Sequence, residues 1–322
     1  MSSDGLIDEL ERLISEQRNP RTANIDELNV EEILRIINEE DKKVAYAVEK
    51  EIPNIAKATK AIIESLKKGG RVFYVGAGTS GRLGVIDRAE LISTFGMDPS
   101  SVIPILAGGS KAMYGPSEMA EDSEENGARA IVRYKVCGRD VVVGISASGR
   151  TPYVVGALRE AKKRKAITVL ITVNPNAKAA EHADIIVCPV VGPEVIMGST
   201  RMKAGTAQKM VLTMMSTTAM IKLGRVKGNL MVSMLPISTK LRERAKRIVM
   251  METGVAYETA SKILEETCYD VKLSILMLKA GVDKKKASNA LKKAGGELKE
   301  ALKLLEASTS TEGIPVERRE KS

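Results

Sequence analysis

The sequence predicts an α/β protein: a doubly wound, mostly parallel sheet with an N-terminal helical arm and a small C-terminal helical bundle. Five short apolar runs lie along the middle of the chain, at residues 72–75, 102–106, 141–145, 167–173 and 185–190. Their apolar residues are continuous rather than alternating, which is the pattern of strands covered on both faces. Segments of helical character separate the runs, and strand–helix alternation builds a parallel sheet with helices on both sides.

Each element follows from local pattern. Over 25–68, Ile33, Ile36, Ile37, Val44, Ala47 and Val48 recur at helical spacing among charges, and Gly69-Gly70 closes the stretch. After the five runs comes a helix over 202–223, rich in Met and Thr and apolar nearly all round. It is expected in the core or at a subunit contact, because a Met-rich stripe is packing more often than a cofactor site. Leu235-Pro236 reads as a join. Residues 240–305 read as short helices broken by Gly254, Gly281 and Gly295-Gly296, and the polar end from Ala307 reads as disordered. The expected division is an arm over 1–50, a sheet domain over 51–236, a helical domain over 237–306 and a tail over 307–322.

Composition narrows the function. Aromatic residues are 3% of the 322 and Trp is absent, so stacking on bases or bare sugar faces is poorly supplied. The acidic start lacks the pattern of a signal peptide, and no run nears the roughly 18 apolar residues of a membrane span. Cys137, Cys188 and Cys268 have neither metal nor disulfide spacing, so free thiols and a cytoplasmic location are expected. The net charge is +9, and residues 201–250 hold eleven Lys/Arg against one acid, Glu243. That zone suits an anionic ligand. No nucleic-acid motif accompanies it, so neither nucleic acid nor membrane is an expected partner. The one histidine, His182, stands in no cluster. Proton transfer must then rely on Glu, Asp, Lys or Tyr, and no metal is expected.

Three segments share one grammar: strand or turn, then Gly with Ser/Thr, then helix. The first is Gly76-Ala77-Gly78-Thr79-Ser80-Gly81-Arg82. Its glycines let backbone approach a ligand, Thr79 and Ser80 offer hydroxyls, and the following helix aims free N–H groups at the same point. It formally matches the dinucleotide fingerprint, but no acid stands clearly at the end of a second strand to take a ribose. A phosphate monoester suits it better. The second is Ser146-Ala147-Ser148-Gly149-Arg150-Thr151-Pro152, with Pro152 placed for a first helical turn. Ordinary N-capping is the plain alternative for one such turn; two of them after two strands favour an anion. The third holds Glu194, Ser199, Thr200 and Lys203. A lysine in a first helical turn opposes the helix dipole unless an anion is near.

Together these segments resemble the sugar isomerase (SIS) domain proteins, a group that includes glucokinase regulatory protein. With Glu16-Gln17-Arg18-Asn19-Pro20, the run from Gly198 to Lys209, and Lys227-Gly228-Asn229-Leu230-Met231, they are similar to the N-acetylmuramic acid 6-phosphate etherase family over nearly the whole chain. The resemblance implies loss of D-lactate from the sugar 3-ether by syn elimination and water addition, without a cofactor, in a homodimer with sites near the subunit contact. It implies two glutamates: Glu90 as the acid at the lactate oxygen and Glu121 as the base at C2. An isomerase on another sugar phosphate and a sugar-phosphate-sensing regulator are the alternatives. The chain departs from the family pattern at Leu91-Ile92-Ser93-Thr94, where Cys-Pro-Pro-Thr is usual, at Ser110, where an acid is common, and at Ser233, where Asp usually follows Val.

Overall fold

The structure, a computed structural model, describes residues 13–115 and 118–311. They form two units. One holds the chain up to Ala89 together with Asp98–Ala219; the other holds Glu90–Met97 together with the residues from Met220 onward. The N-terminal helices therefore belong with the sheet, and residues 220–236 belong with the C-terminal helices.

The first unit begins with three single turns of 3-10 helix and then α1 (Val30–Lys50) and α2 (Ile52–Lys67). The expected helical stretch over 25–68 is thus two helices meeting at Glu51. Asn29 and Glu32 form a reciprocal capping box at the start of α1. Pro53 sits in the first turn of α2, where its missing N–H costs nothing. The sheet follows as β1 (Val72–Gly76), α3 (Gly78–Phe95), β2 (Val102–Leu106), a one-turn α4 (Glu118–Glu121), α5 (Glu124–Arg133), β3 (Val141–Ile145), α6 (Pro152–Lys163), β4 (Ile167–Ile171), β5 (Ile185–Val187) and α7 (Lys203–Lys222); α3 from Glu90 and α7 from Met220 belong to the second unit.

All five strands are parallel, in the order β2-β1-β3-β4-β5. Every residue of β1 and β3 is buried, as continuous apolar runs require of central strands. β4 and β5 are shorter than their apolar runs; β5 stops before Pro189, which has no N–H to give a ladder. One face is packed by a cluster that includes Phe73, Val75, Val142, Val154, Leu158 and Leu170. Asp140 ties the strand starts together. Its carboxylate accepts from the Arg71 backbone N–H at 2.9 Å, the Arg71 guanidinium at 2.8 Å and the Cys137 N–H at 3.0 Å.

The second unit is a bundle of α8 (Thr239–Thr253), α9 (Tyr257–Glu266), α10 (Val271–Ala280), α11 (Lys284–Lys293) and α12 (Leu298–Thr311) around Val249, Leu264, Ile275, Leu276 and Ala287. Gly254 and Gly281 end α8 and α10 in the left-handed conformation, at φ +75° and +60°. Ser238, Asp270 and Asp283 cap α8, α10 and α11. The end expected to be disordered from 307 is helical as far as Thr311; its remaining residues, like the first twelve of the arm, lie outside the described ones. Among the described residues no helix is long and apolar enough to cross a membrane.

Candidate active site

The strand order fixes where a ligand can sit. β1 leads to β2 on one side, while β3 pairs with β1 on the other, so the connections diverge between β1 and β3. Such a switch point leaves a crevice outside the carboxyl ends of the strands. Gly76 and Ile145, the last residues of β1 and β3, are register partners. The first and second Gly/hydroxyl turns therefore leave the sheet side by side, about 5 Å apart.

In the first turn the glycines divide by job. A Cβ on Gly76 would lie 2.7 Å from the Gly81 N, and one on Gly81 would lie 2.6 Å from the Gly76 O. A Cβ on Gly84 would meet Tyr74 at 2.9 Å. These three serve the close packing of α3 on β1. Gly78 differs: its φ is +51° and nothing lies within 4 Å of where its Cβ would be, so it is the glycine beside open space. Ser80 Oγ is buried and donates to Gln208 Oε1 at 2.9 Å. Gln208 is itself buried, and its Nε2 has no hydrogen-bond partner. Thr79 is half-buried, its Cγ2 3.5 Å from the Cβ position of Gly205. The first turn therefore abuts the start of α7.

In the second turn the hydroxyls converge. Ser146 Oγ lies 2.8 Å from Thr151 Oγ1 and 3.4 Å from Ser148 Oγ, and accepts the Gly149 N–H at 3.0 Å. Ser148 Oγ accepts the Arg150 N–H at 3.2 Å. Gly149 is left-handed at φ +68°, and a Cβ there would lie 2.2 Å from the Ala177 Cβ. Thr151 stands at the N-cap of α6 but makes no side-chain capping bond; its hydroxyl goes to Ser146 instead. Plain capping does not account for this turn, and the dipole end of α6 lacks the usual side-chain oxygen.

The third segment is built differently. Glu194 is buried, and its carboxylate accepts the Lys203 N–H and the Ala204 N–H, each at 2.9 Å, capping α7. Burial pushes its carboxyl up, against the pull of those two N–H groups and of the Lys203 charge. The Lys203 ammonium is 1% exposed and lies 2.7 Å from Glu40 Oε2. Glu40, equally buried, also pairs with Arg21 and Lys43 and accepts from Asn19 Nδ2 at 3.0 Å. Burial alone would raise the Glu40 carboxyl; hydrogen bonds from Lys203 and Lys43 outweigh it and bring it down to about 2. The anion that Lys203 requires is thus supplied by the chain. Ser199 and Thr200 are half-buried in the loop leading into α7.

The N-terminal segment laces the second and third segments together. Ser15 Oγ accepts from Asn174 Nδ2, which also donates to the Ala147 carbonyl in the second turn. Thr22 Oγ1 donates to the Val195 carbonyl at 2.8 Å, and the Gly198 N–H donates to the Ser15 carbonyl. Asn174, Gln208, Ser15 and Glu40 were not singled out as site residues. Asn19 of the Glu16–Pro20 motif and Gly198 of the run to Lys209 are the sequence signals for this lacing.

The two glutamates are carried by elements other than the turns. Glu121 is half-buried at the end of the one-turn α4, on the chain that follows β2. Glu90 is exposed on α3, twelve residues past Gly78 in sequence. Arg150 is half-buried at the second turn. A cleft of about 730 Å³ lies along β2 beside Pro104, Leu106, Ser110, Arg129 and Tyr134, and none of the turn hydroxyls lines it. Among the described residues no group of three His, Cys, Asp or Glu is placed to hold a metal.

A five-stranded parallel sheet with hydroxyl turns at its switch point defines a SIS-type domain. Two family models agree: the glucokinase regulatory protein N-terminal SIS domain matches residues 54–162, and the SIS domain matches residues 118–223. Curated relatives narrow the class. An N-acetylmuramic acid 6-phosphate etherase of Caldanaerobacter subterraneus subsp. tengcongensis is 53% identical over 92% of this chain and 96% of its own. Those of Clostridioides difficile (49%, covering 94% and 99%) and Clostridium botulinum strain Okra (52%, covering 91% and 97%) are similar to the same extent. The chain belongs to the N-acetylmuramic acid 6-phosphate etherase family.

Proposed function

We propose that the chain is a carbon–oxygen lyase that cleaves the D-lactyl ether of N-acetylmuramic acid 6-phosphate, giving N-acetylglucosamine 6-phosphate and D-lactate. The observation that carries this reading is the paired hydroxyl turns at the β1/β3 switch point, in a chain about half identical to etherases over nearly its full length. The turns hold the phosphate monoester: Ser146, Ser148 and Thr151 around the α6 end, with Gly149 and Arg150 framing it, and Gly78, Thr79 and Ser80 from the neighbouring strand. Glu194, Ser199, Thr200 and Lys203 shape the α7 side, Glu194 and Lys203 by fixing the start of that helix.

The chemistry needs two proton transfers. Glu121 takes the C2 proton, which the C1 aldehyde of the open sugar acidifies. Glu90 protonates the ether oxygen at C3, and lactate leaves. Water then adds at C3 of the unsaturated aldehyde, with Glu90 as base, and C2 is reprotonated. Each positioned acid or base contributes on the order of 10²–10⁴ in rate.

The family resemblance supports a homodimer with sites near the subunit contact, each drawing its two glutamates from different copies, in the cytoplasm.

The test is release of D-lactate from N-acetylmuramic acid 6-phosphate by the purified chain and by Glu90→Gln. The wild type releases lactate. Glu90→Gln loses at least about a hundredfold in rate yet still exchanges the C2 proton with deuterated water. Mixing Glu90→Gln with Glu121→Gln regenerates activity through hybrid dimers. Wild-type rates from Glu90→Gln, or no lactate from the wild type, refute the assignment.

A further inference from the structure

The helical unit has a polar cleft of about 310 Å³, walled by Arg225, Ser233, Leu235, Tyr269, Asp270 and Lys272. Two cations face it without a carboxylate partner. Arg225 Nη1 donates to the Gly96 carbonyl at 3.4 Å, and Lys272 Nζ donates to the Gly296 carbonyl at 2.6 Å. Among the described residues no carboxylate oxygen lies within salt-bridge distance of either. The third polar group is Ser233, whose Oγ is buried and has no hydrogen-bond partner. A buried hydroxyl in that state calls for an explanation, and here it sits in the same wall as two half-buried positive charges.

The charge balance around Lys272 points the same way. Burial first, then the Arg225 charge, brings its ammonium down to about 8, although Asp270 and Glu297 pull it up. Lys292 lines an adjoining hollow with Lys272 and Asp270, adding a further positive charge on that side. The Asp270 carboxylate is engaged as the cap of α10, accepting from the Leu273 N–H at 2.9 Å. Cys268 and Tyr269, at the rim, both have left-handed backbone, at φ +54° and +62°, a conformation costly for such residues and held by its surroundings. The Arg242 guanidinium packs over the Tyr269 ring at 5.3 Å.

The geometry points to a second oxyanion site, in which a sulfate, a phosphate or the phosphoryl group of an ester lies between the Arg225 guanidinium and the Lys272 ammonium and accepts from Ser233 Oγ. Two cations and a hydroxyl are the donor set that charge-assisted recognition of an oxyanion uses. The bound dianion removes the repulsion between the two cations and supplies the acceptor that Ser233 lacks. It also holds Lys272 protonated, so binding weakens as the pH rises through about 8.

Sulfate is the probe, because it stays doubly charged from pH 6 to 10. The full chain is titrated with sodium sulfate by calorimetry at constant ionic strength, as wild type, Lys272→Met and Ser233→Asp. Ser233→Asp puts a carboxylate where the ligand would lie and retains both cations, so it tests the site even if Lys272→Met fails to fold. The wild type shows an isotherm that weakens up to about thirtyfold between pH 7 and pH 9.5, the loss of protonated Lys272 expected from linkage. Ser233→Asp abolishes that isotherm and melts at a higher temperature in sulfate-free buffer. Sulfate held by the hydroxyl turns is recognised by its indifference to Ser233→Asp. Glucose 6-phosphate binding tighter than inorganic phosphate in the Ser233→Asp-sensitive isotherm assigns the site to sugar phosphates; equal binding assigns it to the free oxyanion. A sulfate isotherm unchanged by both substitutions, or one that is flat with pH, overturns the proposal.

Discussion

Replacing Glu40 by Gln should cost the sheet unit about 3–5 kcal/mol, the penalty of breaking a buried ion pair and stranding its partner. The stranded group is the Lys203 ammonium, 1% exposed and 2.7 Å from Glu40 Oε2. An independent route gives a similar figure. The Glu40 carboxyl is held at about 2 against an ordinary 4.5, a difference worth about 3 kcal/mol at neutral pH. Its sign is fixed: the folded value is depressed, so the contribution is present above about 4.5 and is lost as the pH falls towards 2. The assay is urea denaturation followed by circular dichroism, at pH 7 and pH 3.5, for Glu40→Gln, Lys203→Met and the double variant Glu40→Met/Lys203→Met. Each single change should lower stability by several kcal/mol at pH 7. The double change removes both charges and should recover at least half of the summed losses, because neither ion is left alone. Glu40→Gln should also flatten the acid limb of the stability curve. Single losses below about 1 kcal/mol, or a double variant equal to the sum of the singles, would refute the view that Lys203 is occupied by the chain and not by ligand.

Gly149→Ala should destabilise by about 2–5 kcal/mol, combining a left-handed Cβ penalty with overpacking against Ala177; adding Ala177→Gly should restore part of it, read by thermal melting. Asp140→Ala should cost about 2–4 kcal/mol through its lost charge-assisted bonds to Arg71 and Cys137. Burial raises the Asp140 carboxyl, but the Arg71 and Cys137 donors outweigh it and hold it below the ordinary 3.8. The difference from wild type should therefore shrink as the pH falls below that value, checked by the same denaturation curves.

The fold was legible because its strands are unusually plain. Continuous Val/Ile runs such as 141–145 have one reading when they are short and bounded by glycines, and both faces of β3 are indeed covered. The ends were less legible, since they are decided by hydrogen bonding: β5 stops at Val187 because Pro189 follows, and the helical stretch over 25–68 divides at Glu51, two residues ahead of Pro53. The grouping of residues 220–236 with the helical bundle left no local signal, because it is a matter of tertiary contact and not of pattern.

At the candidate site, sequence located the turns but not what each residue does there. A glycine in Gly76-x-Gly78-x-x-Gly81 announces only that a Cβ is unwelcome. Gly76 and Gly81 exclude it because backbone from the same turn occupies the space, while Gly78 has open space at that position. The same ambiguity governs the charges. Lys203 in a first helical turn required an anion, which reads as a ligand in the sequence, but the structure supplies carboxylates from residues 9 and 163 positions away. A polar residue near a ligand-binding turn is therefore weak evidence of ligand contact until its hydrogen bonds are counted. By that measure the second turn is the stronger half of the site: Thr151 leaves its own helix uncapped to meet Ser146, an arrangement that stabilises little by itself and becomes intelligible once an anion completes it.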